Sequence, residues 1–217
     1  MLKGFDPAAQ RDLVFIPVGI NYDRVLEDRS LLRKLDPAAE GVGLWRKLAV
    51  LARFASRQSM LAVRGRRYRH GYACVNFGTP VSMRAHVAAQ GVDFRTLDDA
   101  GRREPVAAVG KMLMARIGEV IPVLPVPLVA TVLLREETRA LSELELKAAV
   151  QALMDGVEAA GGHVYVPRTD RDYALTVGLR MLALRGLVHE QDGLFQANPA
   201  ELTILRYYAN SIAHLVA

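Results

Sequence analysis

Five histidines, His70, His86, His163, His189 and His214, are the side chains of this sequence best suited to act as general bases near neutral pH. An imidazole does so when a carboxylate orients it and a nucleophile lies within hydrogen-bond reach. None of the five sits in a spacing that supplies such partners, and His189-Glu190 reads as a solvated surface pair rather than a dyad. The sequence has no Gly-x-Ser-x-Gly elbow, no His-Glu-x-x-His pair, no Gly-x-x-x-x-Gly-Lys loop and no Gly-x-Gly-x-x-Gly turn. Its single cysteine, Cys74, excludes an internal disulfide and a multi-cysteine zinc site, and reads as a small buried strand residue. Residue chemistry alone therefore presents no active site and calls for no cofactor or metal.

What the sequence does offer is positive charge. Among 217 residues, 28 Lys and Arg face 23 Asp and Glu, a net charge of +5, which suits nucleic acid, acidic lipid head groups or phosphorylated substrates. Two constellations could use it. On a helix over residues 44–60, Arg46, Arg53 and Arg57 fall along one line, with Leu44, Leu48, Leu51 and Ala55 opposite. Arg64, Arg66, Arg67, Arg69 and His70 form a second basic cluster just beyond it. These segments could lie in a lipid interface with arginines reaching phosphates, or pack on the protein's own sheet with a solvated arginine face; both readings stay open. The second constellation is a helix, helix, helix, Asp-Gly hairpin order over residues 128–197, which resembles a winged-helix layout with residues 172–185 as its recognition helix. Only Arg180 and Arg185 are basic there, few for a surface that reads phosphates.

The elements that must position these residues are legible in the pattern. Residues 13–20 are an apolar run rich in branched side chains, expected to form a strand buried on both faces, with Pro17 suited to an edge, bulge or strand end. Residues 24–35 alternate charge and leucine at helical spacing. A strand over residues 71–77 should end at Gly78-Thr-Pro80. Helices are expected over residues 106–117, 128–134, 142–159, 172–185 and 201–216, the third opened by a Ser142/Glu145 capping box and closed by Gly161-Gly162. Asp192-Gly193 between alternating segments signals a hairpin. The longest apolar stretch, residues 120–134, is interrupted by Pro122, Pro125 and Pro127 and falls short of the ~20 residues that span a bilayer. The first residues carry no charged start leading into an apolar run, so they do not read as a secretory signal.

Three stretches carry a family resemblance. Val14-Phe-Ile-Pro-Val-Gly-Ile-Asn-Tyr-Asp-Arg-Val25 resembles the fourth conserved block of glycerol-3-phosphate and dihydroxyacetone-phosphate acyltransferases. Gly71-Tyr-Ala-Cys-Val-Asn-Phe-Gly-Thr-Pro80 is similar to the family's strand ending in Val-x-Phe-Gly-x-Pro. Leu205-Arg-Tyr-Tyr-Ala-Asn-Ser-Ile-Ala-His214 is similar to its C-terminal Tyr-Tyr-x-Asn-x-Ile-x-His helix. The three occur in family order.

The resemblance implies an α/β fold: residues 1–111 as the C-terminal part of an acyltransferase sheet domain, then residues 112–217 as a mainly helical domain with one β-hairpin. It implies transfer of a fatty acyl group from acyl-CoA or acyl carrier protein to glycerol 3-phosphate, giving lysophosphatidic acid. The family's catalytic His-x-x-x-x-Asp and its Glu-Gly-x-Arg-Ser-Arg phosphate block are missing from this sequence, so Met1 is expected to be internal or a truncated start, and the chain alone inert; a non-catalytic remnant that binds lipid or a partner is the other reading. Phe15, Ile16, Pro17 and Val18 match the block that the family associates with the acyl donor; plain sheet core is the other reading. Membrane and phosphate contact falls to Arg46, Arg53, Arg57, Arg64, Arg66 and Arg67, at the cytoplasmic face of the inner membrane and peripherally. Nucleic acid is not an expected partner.

Overall fold

A computed structural model describes residues 2–35 and 71–216. The basic constellation at Arg46, Arg53, Arg57, Arg64, Arg66 and Arg67, and the helix expected over residues 44–60, lie outside the described residues.

The apolar run after Asp12 forms two strands, β1 (Val14–Phe15) and β2 (Val18–Tyr22), separated at Ile16-Pro17. Proline cannot donate to a ladder, and the chain changes partner there: β1 pairs antiparallel with β4 (Val81–Ser82), β2 with β3 (Ala73–Phe77). The Pro17 carbonyl accepts the Gly78 N–H at 2.8 Å, so the break is bridged on the acceptor side. The expectation of burial on both faces is corrected. Residues alternate along β2, with Gly19 and Asn21 buried while Ile20 is 49 % and Tyr22 46 % exposed. Strand β3 repeats the pattern: Val75, opposite Ile20, is 54 % exposed, Phe77, opposite Val18, is 68 % exposed, and Ala73, opposite Tyr22, is also exposed. The run is apolar at every position, yet among the described residues only one of its faces is covered.

Helix α1 (Asp28–Leu35) comes after β2, and α2 (Met83–Gln90) after β4 with Ser82 as its cap. Helix α3 is Arg103–Glu119, so the division anticipated between residues 111 and 112 runs through it. A small core of Phe5, Met83, Val87, Phe94 and Val109 joins the N-terminal residues to α2 and α3.

The larger core lies in the helical part beyond α3. Helix α4 (Pro125–Arg135) is buried from Pro125 to Leu133, surrounded by α5 (Glu143–Ala159), α6 (Arg171–Leu184) and α7 (Leu202–Asn210). Its prolines do not break it. Pro125 stands at the first helical position and Pro127 two residues on, where backbone N–H groups have no intrahelical acceptor. The capping box at Ser142 is present, with Glu145 bonded back to the Ser142 N–H. The hairpin is β6 (Val188–Gln191) and β7 (Leu194–Ala197), turning on Asp192 and Gly193, both at positive φ. A short β5 (Leu141–Ser142) adds to it in the order β5-β7-β6.

The helix and hairpin order anticipated as winged-helix-like is thus present. Its charge does not suit nucleic acid. Arg185, a candidate for reading phosphates, turns inward into a buried network, and Arg180 shares its groove with Glu143 and Glu190. No described helix is long and apolar enough to cross a membrane.

The two parts meet through backbone contact. A Cβ placed on Gly19 would lie 2.3 Å from the Val120 carbonyl oxygen and 2.8 Å from Ile121 Cα, so β2 rests directly on the chain entering α4. Gly19→Ala should lower stability by about 3 kcal/mol or more, because backbone cannot yield as a side chain does. The matched control is Gly110→Ala in α3, where a Cβ meets nothing within 4 Å and stability should rise slightly. Equal urea midpoints for the two variants would contradict this account of the contact.

Candidate functional site

The segment from Asn21 to Asp28 carries three polar side chains that are buried beneath the ribbon, and each ties it to the helical part. Asn21 donates from Nδ2 to the Pro122 carbonyl at 2.9 Å and to Ser211 Oγ at 3.3 Å, while its Oδ1 accepts the Tyr22 N–H.

Asp23, only 1 % exposed, accepts the Val126 N–H at 3.0 Å and the Tyr72 N–H at 3.1 Å. Helix α4 begins after Leu124, which has no side-chain oxygen to cap it. Asp23, 103 residues earlier in the chain, supplies the missing acceptor and a favourable charge at the helix start. Burial nonetheless dominates and raises its pKa from 3.8 to about 6, against the two backbone donors that lower it.

Asp28 lies at the first turn of α1 and is 2 % exposed. Its Oδ2 accepts the Tyr208 hydroxyl at 2.6 Å and pairs closely with Arg185 Nη2. The Tyr208 hydroxyl in turn accepts from Arg185 Nη1 at 2.7 Å and from the Val25 N–H at 3.1 Å. One proton given and two accepted use all that a phenol offers. Burial first, and then the bond to Asp28, push the Tyr208 pKa up to about 12, so it stays a neutral donor.

These contacts give the C-terminal Tyr-Tyr-x-Asn-x-Ile-x-His pattern its mechanical meaning. Tyr208 closes the buried network, Ile212 is fully buried, and His214 donates from Nε2 to the Gly118 carbonyl at 3.0 Å. Tyr207 stands edge-on to Tyr208 with ring centroids 5.4 Å apart. Asn210 is exposed.

The four residues carried over from the acyl-donor block do not converge. Phe15 packs against the small N-terminal core, Ile16 is 56 % exposed, Pro17 is buried beside Gly78, and Val18 is half-buried on β2. Cys74 is half-buried on the covered face of β3, opposite Asn21, and burial together with the nearby Asp23 charge raises its thiol pKa. His189 lies on exposed β6 beside Glu190 and has no catalytic arrangement around it among the described residues. Among the described residues no three His, Cys, Asp or Glu side chains gather to hold a metal.

Residue patterns do not single out Asp23 or Asp28. Their signal is faint: a carboxylate immediately after an apolar strand, and an acid at a helix start. Neither position reveals that its partners lie about 50 to 180 residues away.

The rest of this site is a cleft of ≈ 650 Å³ between the outer side of β2, α1 and α7. It is lined by Ile20, Asn21, Tyr22, Val25 and Leu32 on one side and by Thr203, Arg206, Tyr207, Tyr208, Asn210 and Ser211 on the other.

The Asp23 pKa fixes the sign of a pH effect. A carboxyl group that holds its proton more tightly when folded stabilises the fold below its unfolded pKa. That contribution is lost as pH rises from about 4 through about 6. Thermal melts of the wild type should therefore decline over that window relative to Asp23→Asn, which cannot titrate. Parallel pH profiles for the two proteins would remove Asp23 as the cause.

Residues 57–217 match a family model described as the glycerol-3-phosphate acyltransferase C-terminal region. A glycerol-3-phosphate acyltransferase of Alteromonas mediterranea is 26 % identical over 226 aligned residues, covering 100 % of this chain and 26 % of the relative. Relatives of the same name from Pseudomonas putida KT2440 and Pseudomonas fluorescens SBW25 are each 27 % identical over 228 aligned residues, covering 100 % of this chain and 26 % and 25 % of their own lengths. The chain spans about a quarter of the curated relatives it matches. With a match over most of its length that includes β3 and every helix after it, the chain belongs to the family of glycerol-3-phosphate acyltransferase C-terminal regions.

Proposed function

We propose that the chain serves as the C-terminal region of a glycerol-3-phosphate 1-O-acyltransferase. In this reading a fatty acyl group passes from acyl-CoA or acyl carrier protein to the first hydroxyl of glycerol 3-phosphate, giving lysophosphatidic acid. The observation that carries it is the alignment of the whole chain with about a quarter of each relative named for that activity. The chemistry needs a base to deprotonate the hydroxyl that attacks the thioester. None of the five histidines has the family's His-x-x-x-x-Asp spacing, so the base is not among them. The contribution of this chain is then architectural: the N-terminal strands with their helices as part of an α/β domain, and the helical body beyond α3 that braces it.

The exposed side of Ile16, Ile20, Val75 and Phe77 supports that division of labour, because an apolar strand face in water is a face suited to further packing or to an acyl chain. Joined to the remaining three quarters of the Alteromonas mediterranea relative, the chain should yield a hybrid that acylates glycerol 3-phosphate, while the chain alone should not. Ile16→Asp with Phe77→Asp should reduce the hybrid's rate at least about tenfold. Acylation by the chain alone, or a hybrid indifferent to both aspartates, would sink the reading.

Peripheral attachment to an anionic membrane face is part of the same proposal, resting on the arginine spacing at Arg46, Arg53 and Arg57. Replacing all three by glutamate should abolish sedimentation with phosphatidylglycerol vesicles at low salt, and unchanged sedimentation would overturn it.

A further inference from the structure

The cleft between β2 and α7 holds polar groups that packing does not use, although Leu32 and the Tyr207 ring also pack against the main core. Helix α7 spends Ile204, Leu205, Tyr208 and Ala209 on the core and presents Thr203, Arg206, Tyr207 and Asn210 to the cleft. Thr203, Tyr207 and Asn210 make no side-chain hydrogen bond among the described residues. Facing them, Ile20, Val25, Leu32 and the ring of Tyr22 form an apolar wall. The volume of ≈ 650 Å³ lies within the roughly 300–1,000 Å³ typical of small-molecule sites.

Charge selects among occupants. Among the described residues no carboxylate lines the cleft, and its one ionised group is the Arg206 guanidinium. Arg206 also pairs with Glu137 at 3.1 Å, an exposed contact of little energy that a ligand anion can displace or share. A guanidinium with a nearby amide and hydroxyls forms hydrogen bonds to an oxyanion, whereas the opposite wall rewards hydrocarbon. A sugar or nucleotide would leave that wall unused, and a plain hydrocarbon would leave Arg206, Asn210 and Thr203 unused.

We infer that this cleft binds a single-chain amphiphile, its chain along Ile20, Val25 and Leu32 and its anionic head, phosphate or carboxylate, at Arg206 and Asn210. The inference stands on the cleft's lining and does not rest on the acyltransferase reading. The rigid base of the cleft is the Asp28–Tyr208–Arg185 network, which fixes α1 against α7 before any ligand arrives.

The test is calorimetric titration of the full chain with dodecyl phosphate and with dodecanoate, both below their micelle concentrations, and with inorganic phosphate alone. Either amphiphile should bind saturably at one site per chain, with inorganic phosphate too weak to detect. Tighter binding of dodecyl phosphate would assign the head site to phosphate, and equal binding would show that a carboxylate suffices; both support the cleft. Arg206→Ala should weaken amphiphile binding about tenfold, the worth of a charge-assisted hydrogen bond. Thr203→Trp should block it by filling the cleft. Both positions are exposed on α7, so their thermal melts should match the wild type and loss of binding would not reflect unfolding. Absence of saturable binding, binding that neither variant alters, or association only with phosphatidylglycerol bilayers would overturn the inference.

Discussion

The buried pair of Asp28 and Arg185, bridged by the Tyr208 hydroxyl, is the constraint around which the C-terminal part is organised. Burying a carboxylate and a guanidinium together costs several kcal/mol of desolvation per ion, recovered only when geometry and hydrogen bonding are complete. Here they are: the phenol links both ions and also takes the Val25 N–H. The network therefore has one acceptable arrangement. It sets α1 against α7 and the C-terminal end of α6, and Asn21 and Asp23 carry the same registration back along β2.

A consequence is that the polar residues of the Asn21–Asp28 segment act at a distance in the chain. Asp23 caps a helix whose own N-cap is a leucine, and Asn21 secures the Pro122 carbonyl just before that helix. Helix α4 is buried on nearly every side, so water does not satisfy its first N–H groups. A side chain from elsewhere must do so, and the tight contact of Gly19 with Val120 brings Asp23 within reach. The ribbon and the helical body are thus coupled by hydrogen-bond satisfaction as well as by apolar packing. The ribbon's outer face takes no part in that coupling, and it remains apolar and uncovered among the described residues.

Patterns of short range were readable directly. The capping box at Ser142, the Asp192-Gly193 turn, the strand before Gly78-Thr-Pro80 and the prolines that open α4 each depend on neighbours within a few residues. The run at residues 13–20 misled because apolar composition does not reveal which side chains find a partner. Its alternation became visible only once Gly19 and Asn21 were placed against the helical part. Arg185 misled for the same reason, since a cation near a helix end looks solvent-facing until the acid that claims it is known.

By itself, the sequence determined the kinds and order of the longer described elements, the absence of a His-x-x-x-x-Asp base, and the family, through three blocks spaced along nearly its whole length. Local propensity and side-chain chemistry suffice for those. Only the tertiary structure decided that Asp23 and Asp28 are buried, that Tyr208 and His214 serve the fold while Arg206 and Asn210 face a cleft, and that one side of the β2–β3 ribbon is bare among the described residues. Burial, pKa and cleft shape are properties of groups up to about 180 residues apart, and no periodicity within a segment encodes which of them will meet.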